Sequence, residues 1–193
     1  NMAQFAVMPR QKDLIICRTN APLVGAALKL IANGIQARIR GRNIAAGLVK
    51  MIKESAKHGL SGDDFAGAMT DALQQYVDHR LIILQSKPHT EVQQETVNDQ
   101  LECIVVFMGG RPDLKDSAHL CTELENLFAD EGAAVWLSSI HRAKGLEADR
   151  VFVLRSDRMR IERKGMLPWQ LEQEANLEYV GLTRSKHALY LVR

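Results

Sequence analysis

Apolar residues follow two rhythms along this chain. Toward both ends they gather in short runs: the β-branched "DLIIC" at 13–17, the alternating "IQARI" at 35–39, "AVWLSS" at 134–139, "RVFVL" at 150–154 and "HALYLV" at 187–192. Runs of this length between polar or glycine-containing turns predict strands. Between the first two, Leu23, Ala27, Leu30 and Ile31 share one helical face, and Asn33-Gly34 supplies the left-handed stop that ends many helices. Strand, helix and strand in so short a span predict a parallel α/β unit.

From 43 to 108 the rhythm is helical instead. Breaks fall at His58-Gly59 and Lys87-Pro88, and Thr90 with Gln93 has the spacing of a capping box. Gly109-Gly110 closes this stretch, a further helix is expected over 117–129, and Glu131-Gly132 turns the chain back toward the sheet. A last helix is expected over 168–183, with Pro168 in its first turn. The pattern therefore predicts one α/β domain over 1–193. Its sheet-forming parts are about 12–42 and 109–193, and an all-helical insertion occupies about 43–108.

Composition adds bounds. With 46% hydrophobic residues among 193, the chain can bury a sizeable core. A formal net charge of +2 neither requires nor excludes a nucleic-acid partner, because a local basic face can hide in a near-neutral total. Cys17, Cys103 and Cys121 show no C-x-x-C pair and sit in apolar or helical runs, which reads as reduced, buried thiols of a cytoplasmic protein. No apolar run approaches the roughly 20 residues of a membrane span, and "NMAQFAVMPR" lacks the layout of a secretory signal. Asn1 ahead of Met2 suggests that the numbering starts inside a longer protein.

Ligands of parallel α/β sheets gather at the carboxyl ends of the strands, and three segments with basic residues are expected there. In "RTNAP", Arg18 leaves a strand with a planar cation able to fork onto phosphate, although an ordinary exposed arginine fits as well. In "IHRAKGLEAD", which follows the strand ending at Ser139, Gly145 permits a tight turn, Glu147 can accept from a sugar hydroxyl, and Ser139 and His141 can meet a phosphate backbone; a satisfied polar loop is the plainer alternative. In "EQEANLEYVGLTRSK" and the Leu171 just before it, Leu171, Ala175, Leu177, Val180 and Leu182 are spaced for burial on a helix, and Arg184 stands at its end. An arginine so presented can neutralise charge on a transferring phosphoryl group, provided the nucleotide is held elsewhere.

These three segments resemble, in order, motif IV ("IICRTNAP"), motif V ("LSSIHRAKGLEADRVFVL") and motif VI ("QEANLEYVGLTRSKHALYLV") of the second RecA-like motor domain of UvrD/Rep-type superfamily 1 DNA helicases. The resemblance implies a RecA-like (P-loop NTPase-type) parallel sheet flanked by helices, in an ATP-dependent DNA helicase. It implies that Arg18 and Arg184 approach the terminal phosphate of ATP and that Glu147 touches the ribose. Ser139, His141 and Lys144 would meet single-stranded DNA, with Lys144 and Gly145 shaping the loop.

The departures are specific. Cys17 stands where a tyrosine is frequent, Ser139 replaces a threonine, and Glu174-Ala175-Asn176 lacks the usual arginines, so any ion pairs made by those arginines are absent. No G-x-x-x-x-G-K-[ST] loop, Asp-Glu metal-binding strand or Gln motif occurs in the chain. The resemblance thus implies that Mg2+ and the phosphates are held mainly by an N-terminal RecA-like domain of the same polypeptide, and that this chain alone is inactive.

Two other readings stay open. One is a non-catalytic DNA- or protein-binding module derived from a helicase domain, which the lack of a phosphate loop upstream would favour. The other is an independent α/β enzyme using His141, Glu147 or Asp149, although no nucleophile pairs with them at a telling spacing. The histidines and cysteines show no metal-ligand spacing; His119 and Cys121 read as helix residues.

Overall fold

The computed structural model describes residues 8–56, 59–88, 90–128, 135–162 and 165–193. In chain order the elements are β1 (Leu14–Cys17), α1 (Ala21–Ala32), β2 (Ala37–Ile39), α2 (Arg42–Ser55), α3 (Phe65–Gln85), α4 (Glu91–Gly109), α5 (Ser117–Leu127), β3 (Val135–Ser139), β4 (Ala148–Leu154), a 3₁₀ turn (Ser156–Arg158), α6 (Pro168–Leu182) and β5 (Ser185–Val192). They divide between two compact units, one comprising Asn1–Arg40 with Asp130–Arg193 and the other Gly41–Ala129.

The first unit is built on a five-stranded sheet of order β2-β3-β1-β4-β5, and every pairing in it is parallel. The central strand β1 is buried at all four positions, which explains its uninterrupted apolar run. Against the face carrying Leu14, Ile16, Val151 and Val153 lie Ile140, Ala143 and Met159, with Leu177 and Val180 of α6 packed beside them. At Gly181 the helix approaches so closely that a Cβ would lie 2.7 Å from the Met159 methyl. Helix α1 contributes the buried Leu23, Val24, Ala27 and Leu30. It stops as expected, Gly34 at φ +75° following the cap residue Asn33.

Ahead of β1 the buried Asp13 is clasped by both Nε and Nη2 of Arg150, at 3.1 and 2.7 Å. The Arg150 guanidinium lies over Phe152 and Tyr190, whose rings stack 4.6 Å apart. This is an α/β fold with a parallel sheet, consistent with a RecA-like domain.

The second unit gathers α2, α3, α4 and α5 around buried Leu48, Ile52, Phe65, Met69, Leu73, Ile104, Phe107, Leu120 and Leu124. Its membership differs from the expected insertion of 43–108. Helix α5, assigned by the sequence pattern to the sheet-forming part, packs on α2. The reason is that Leu120, Cys121, Leu124 and Leu127 form a stripe that any apolar layer can accept, and a stripe does not name its partner. Asp116 caps this helix by accepting from the His119 N–H at 2.7 Å. The capping box at Thr90 does not form: the Thr90 hydroxyl donates back to the Leu84 carbonyl, and Gln94, not Gln93, donates to it. All three cysteines are buried. His58, Glu131, Gly132 and the outer ends of the strand and helix expected at 134 and 129 lie outside the described residues.

Candidate functional site

Register decides which candidate residues can meet. Leu14 pairs with Val151, and Ala148 pairs with Ser185, so β4 and β5 begin three residues before the level of Leu14. Arg18 follows β1 at its carboxyl end, whereas Arg184 precedes β5 at its amino end. At about 3.3 Å per residue, the two arginines leave the sheet roughly 25 Å apart along the strands. The expectation that three basic segments converge on the carboxyl edge therefore fails for Glu147 and Arg184, which stand at the amino edge. Arg18 and Arg184 do not share a partner.

At the carboxyl edge, Cys17 pairs with Ser139 and the Cys17 carbonyl accepts from the Ile140 N–H at 2.9 Å, setting Arg18 beside His141. Arg18 forks onto Glu174 of α6, Nε to Oε2 at 3.2 Å and Nη2 to Oε1 at 2.7 Å. Glu174 also accepts from the Ile161 N–H at 3.0 Å. Burial pushes the Glu174 carboxyl up, but the hydrogen bonds from Arg18 and Ile161, aided by the charges of Arg18 and His141, outweigh it and leave the group below its usual value. His141 moves down too, first through desolvation and then through the Arg18 cation, with Glu174 pulling the other way. Ser139 is buried at 7% exposure, so little of its hydroxyl reaches solvent.

Residues 140–147 cross the sheet face from this edge to the other. Successive tight turns run along them: Ala143 N–H donates to Ser139 and Ile140, and Leu146 N–H to Ala143. Three-residue turns eclipse every third side chain. Ile140, Ala143 and Leu146 consequently share the side packed on β1 and β4, while His141, Arg142, Lys144, Gly145 and Glu147 are exposed. Gly145 adopts φ +84°, the left-handed conformation that a side chain would strain.

At the amino edge, Glu147 is exposed and faces Lys186 at 3.7 Å, while His187 lies 3.3 Å from Asp149. Arg184 is half-buried and its hydrogen bonds go to neutral acceptors: the Val180 carbonyl at 2.8 Å, the Leu146 carbonyl at 3.4 Å and the Thr183 hydroxyl at 2.9 Å. Among the described residues its positive charge is thus oriented without being paired to a carboxylate, as suits a group that meets an anion. Since the Ala148 N–H donates to the Arg184 carbonyl at 3.2 Å, the end of the crossover and the end of α6 are tied together.

Two residues absent from the sequence-based set complete the picture. Glu174 occupies the inward face of α6 between the half-buried Leu171 and Leu177. A lone acid in an apolar stripe signals a buried cationic partner, but not which one. The absence of ion pairs from the arginine-poor start of motif VI therefore does not extend to Glu174. The stripe itself is shallower than expected: among the α6 residues only Glu174 and Gly181 are fully buried, and Leu182 is exposed. Lys186 carried no sequence signal beyond its charge.

Among the described residues no group of three or more His, Cys, Asp or Glu side chains could hold a metal ion. No helix among them is long and apolar enough to cross a membrane.

Comparison with known proteins yields one family and several relatives. A model of the UvrD-like helicase C-terminal domain matches residues 93–193, just over half of the chain. That stretch contains Ser139, His141, Lys144, Gly145, Glu147, Glu174 and Arg184, whereas Arg18 lies before it. A probable DNA helicase II homolog of Rickettsia conorii is 36% identical over 107 residues, covering 50% of this chain and 15% of that protein. DNA helicase II of Rickettsia typhi matches with the same identity and coverage. ATP-dependent DNA helicase UvrD1 of Mycobacterium leprae is 32% identical over 80 residues, 40% of this chain and 10% of that protein. The matched stretch is thus a small part of each relative.

Proposed function

Because this chain belongs to the UvrD-like helicase C-terminal domain family, we propose that it is the second motor domain of an ATP-dependent DNA helicase or translocase, with its two sheet edges serving different ligands. The amino edge takes the nucleotide: Arg184 approaches the terminal phosphate and Glu147 the ribose, with the phosphate loop and Mg2+ supplied by an N-terminal RecA-like domain of the same polypeptide. The carboxyl edge takes single-stranded DNA, with His141 and the hydroxyl of Ser139 at the edge and Lys144 along the crossover. Arg18 belongs with them. Its guanidinium is taken by Glu174, whereas that of Arg184 is held by the Val180 and Leu146 carbonyls, so the two have separate partners.

The observation that carries this reading is the crossover at 140–147. One short, turn-bonded segment begins beside Arg18 and ends at Glu147. A change in nucleotide contact at Glu147 and Arg184 is thereby transmitted to the DNA-facing residues through a few packed turns, which is how closure on ATP can alter the grip on a strand.

The test is DNA-stimulated ATP hydrolysis by the full-length protein carrying Arg184→Ala. A fall of about 10³-fold is expected, the magnitude for an arginine that stabilises charge in phosphoryl transfer. Near-normal turnover would remove Arg184 from the nucleotide site.

A further inference from the structure

We infer that Glu174 is a positioning residue for Arg18, holding the guanidinium so that its remaining fork meets a phosphodiester of the bound strand. The inference rests on the assignment of the carboxyl edge to nucleic acid.

A guanidinium carries five N–H donors in a fixed plane. Glu174 takes the Nε and Nη2 side, with side-chain exposures of 17% for Arg18 and 11% for Glu174. Among the described residues Nη1 has no hydrogen-bond partner, and with the second hydrogen of Nη2 it makes a fork that Glu174 does not occupy. Glu174 is itself fixed, since the Ile161 N–H donates to the same Oε2 that receives Arg18 Nε. Residue 161 lies two beyond the buried Met159, so the segment between β4 and α6 is anchored where it grips the carboxylate. Three stretches of chain thus meet at one side chain: the end of β1, the approach to α6, and α6 itself.

Charge alone gives the opposite expectation, which makes the idea testable by sign. A carboxylate beside an anionic strand repels it, so neutralising Glu174 without moving Arg18 would tighten binding. If Glu174 orients Arg18, the neutral variant binds more weakly despite the lost repulsion.

The measurement is titration of a labelled oligothymidylate with the full-length protein at several salt concentrations, alongside the KM for ATP and the melting temperature. Arg18→Ala should weaken binding roughly fivefold and lower the salt slope by about one. Glu174→Gln should weaken it roughly two- to fivefold, and the double variant should be no weaker than Arg18→Ala, because the two act as one unit. The KM for ATP should move by less than about twofold in each, since a small displacement of an orienting group acts only on the contact it orients.

Tighter or unchanged binding by Glu174→Gln, with Arg18→Ala impaired, would overturn the positioning role and leave the edge assignment standing. Loss in neither variant would instead overturn the edge assignment. Should Glu174→Gln not fold, Glu174→Asp keeps the charge and shortens the reach. It should also weaken binding, and wild-type affinity there would overturn the inference.

Discussion

The two edges of the sheet treat their arginines in opposite ways. At the carboxyl edge, Arg18 is forked onto a buried carboxylate that is itself held by a backbone N–H. At the amino edge, Arg184 is held by two carbonyls and a hydroxyl, all neutral. Carbonyl acceptors fix a guanidinium while leaving its charge uncompensated; a carboxylate fixes it and offsets the charge. The first arrangement suits an arginine that responds to a large local charge such as a terminal phosphate. The second suits one contact among several along a uniformly charged strand.

Glu147→Ala offers the largest remaining test of that difference. The KM for ATP should rise roughly tenfold, the cost of losing hydrogen bonds to an ionised group, while affinity for single-stranded DNA stays within about twofold. Equal losses in both would show that the edges are not separate. The loss should be specific to the ribose: a 2′,3′-dideoxy nucleotide should bind wild type and variant alike.

Next in size is His141→Ala, expected to raise the half-saturating DNA concentration roughly threefold to fivefold with the salt slope unchanged. The sign follows from the shift: desolvation and the Arg18 cation hold the imidazole below its ordinary pKa, so it takes up its proton at a lower pH than a free imidazole does. Binding by the wild type should therefore tighten as the pH falls through that lowered range, and that gain should be missing from His141→Ala. Lys144→Ala gives the contrasting result, a salt slope lower by about one at every pH.

Gly145→Ala should have the smallest effect. At φ +84° with open space around it, an added methyl meets no neighbour and strains only the backbone, about 1 kcal/mol. Thermal unfolding should fall by a few degrees at most. A much larger drop, or loss of DNA stimulation alone, would mean that the crossover must flex at this point.

Much of this was legible because particular residues left one choice. The run Leu14–Cys17 is apolar at every position, so a strand covered on both faces was the available reading, and Asn33-Gly34 marked where α1 had to stop. That Ile140, Ala143 and Leu146 share the buried side of the crossover was not legible, because it depends on three-residue turns that only the structure showed. Glu174 was half legible: its place in an apolar stripe demanded a cation, but the partner lay 156 residues away, beyond any local pattern. Helix α5 misled for the same reason, its stripe fitting either unit equally well.

By itself, then, the sequence determined that the chain forms a parallel α/β sheet with a helical excursion, and which polar residues its loops display. Those properties follow from periodicity and turn chemistry, which are local. Only the tertiary structure decided that Arg18 and Arg184 stand at opposite edges, that Glu174 answers Arg18, and that α5 belongs with α2. Each of these depends on strand order, register or packing partner, and such choices are made by long-range burial between segments whose local patterns are interchangeable.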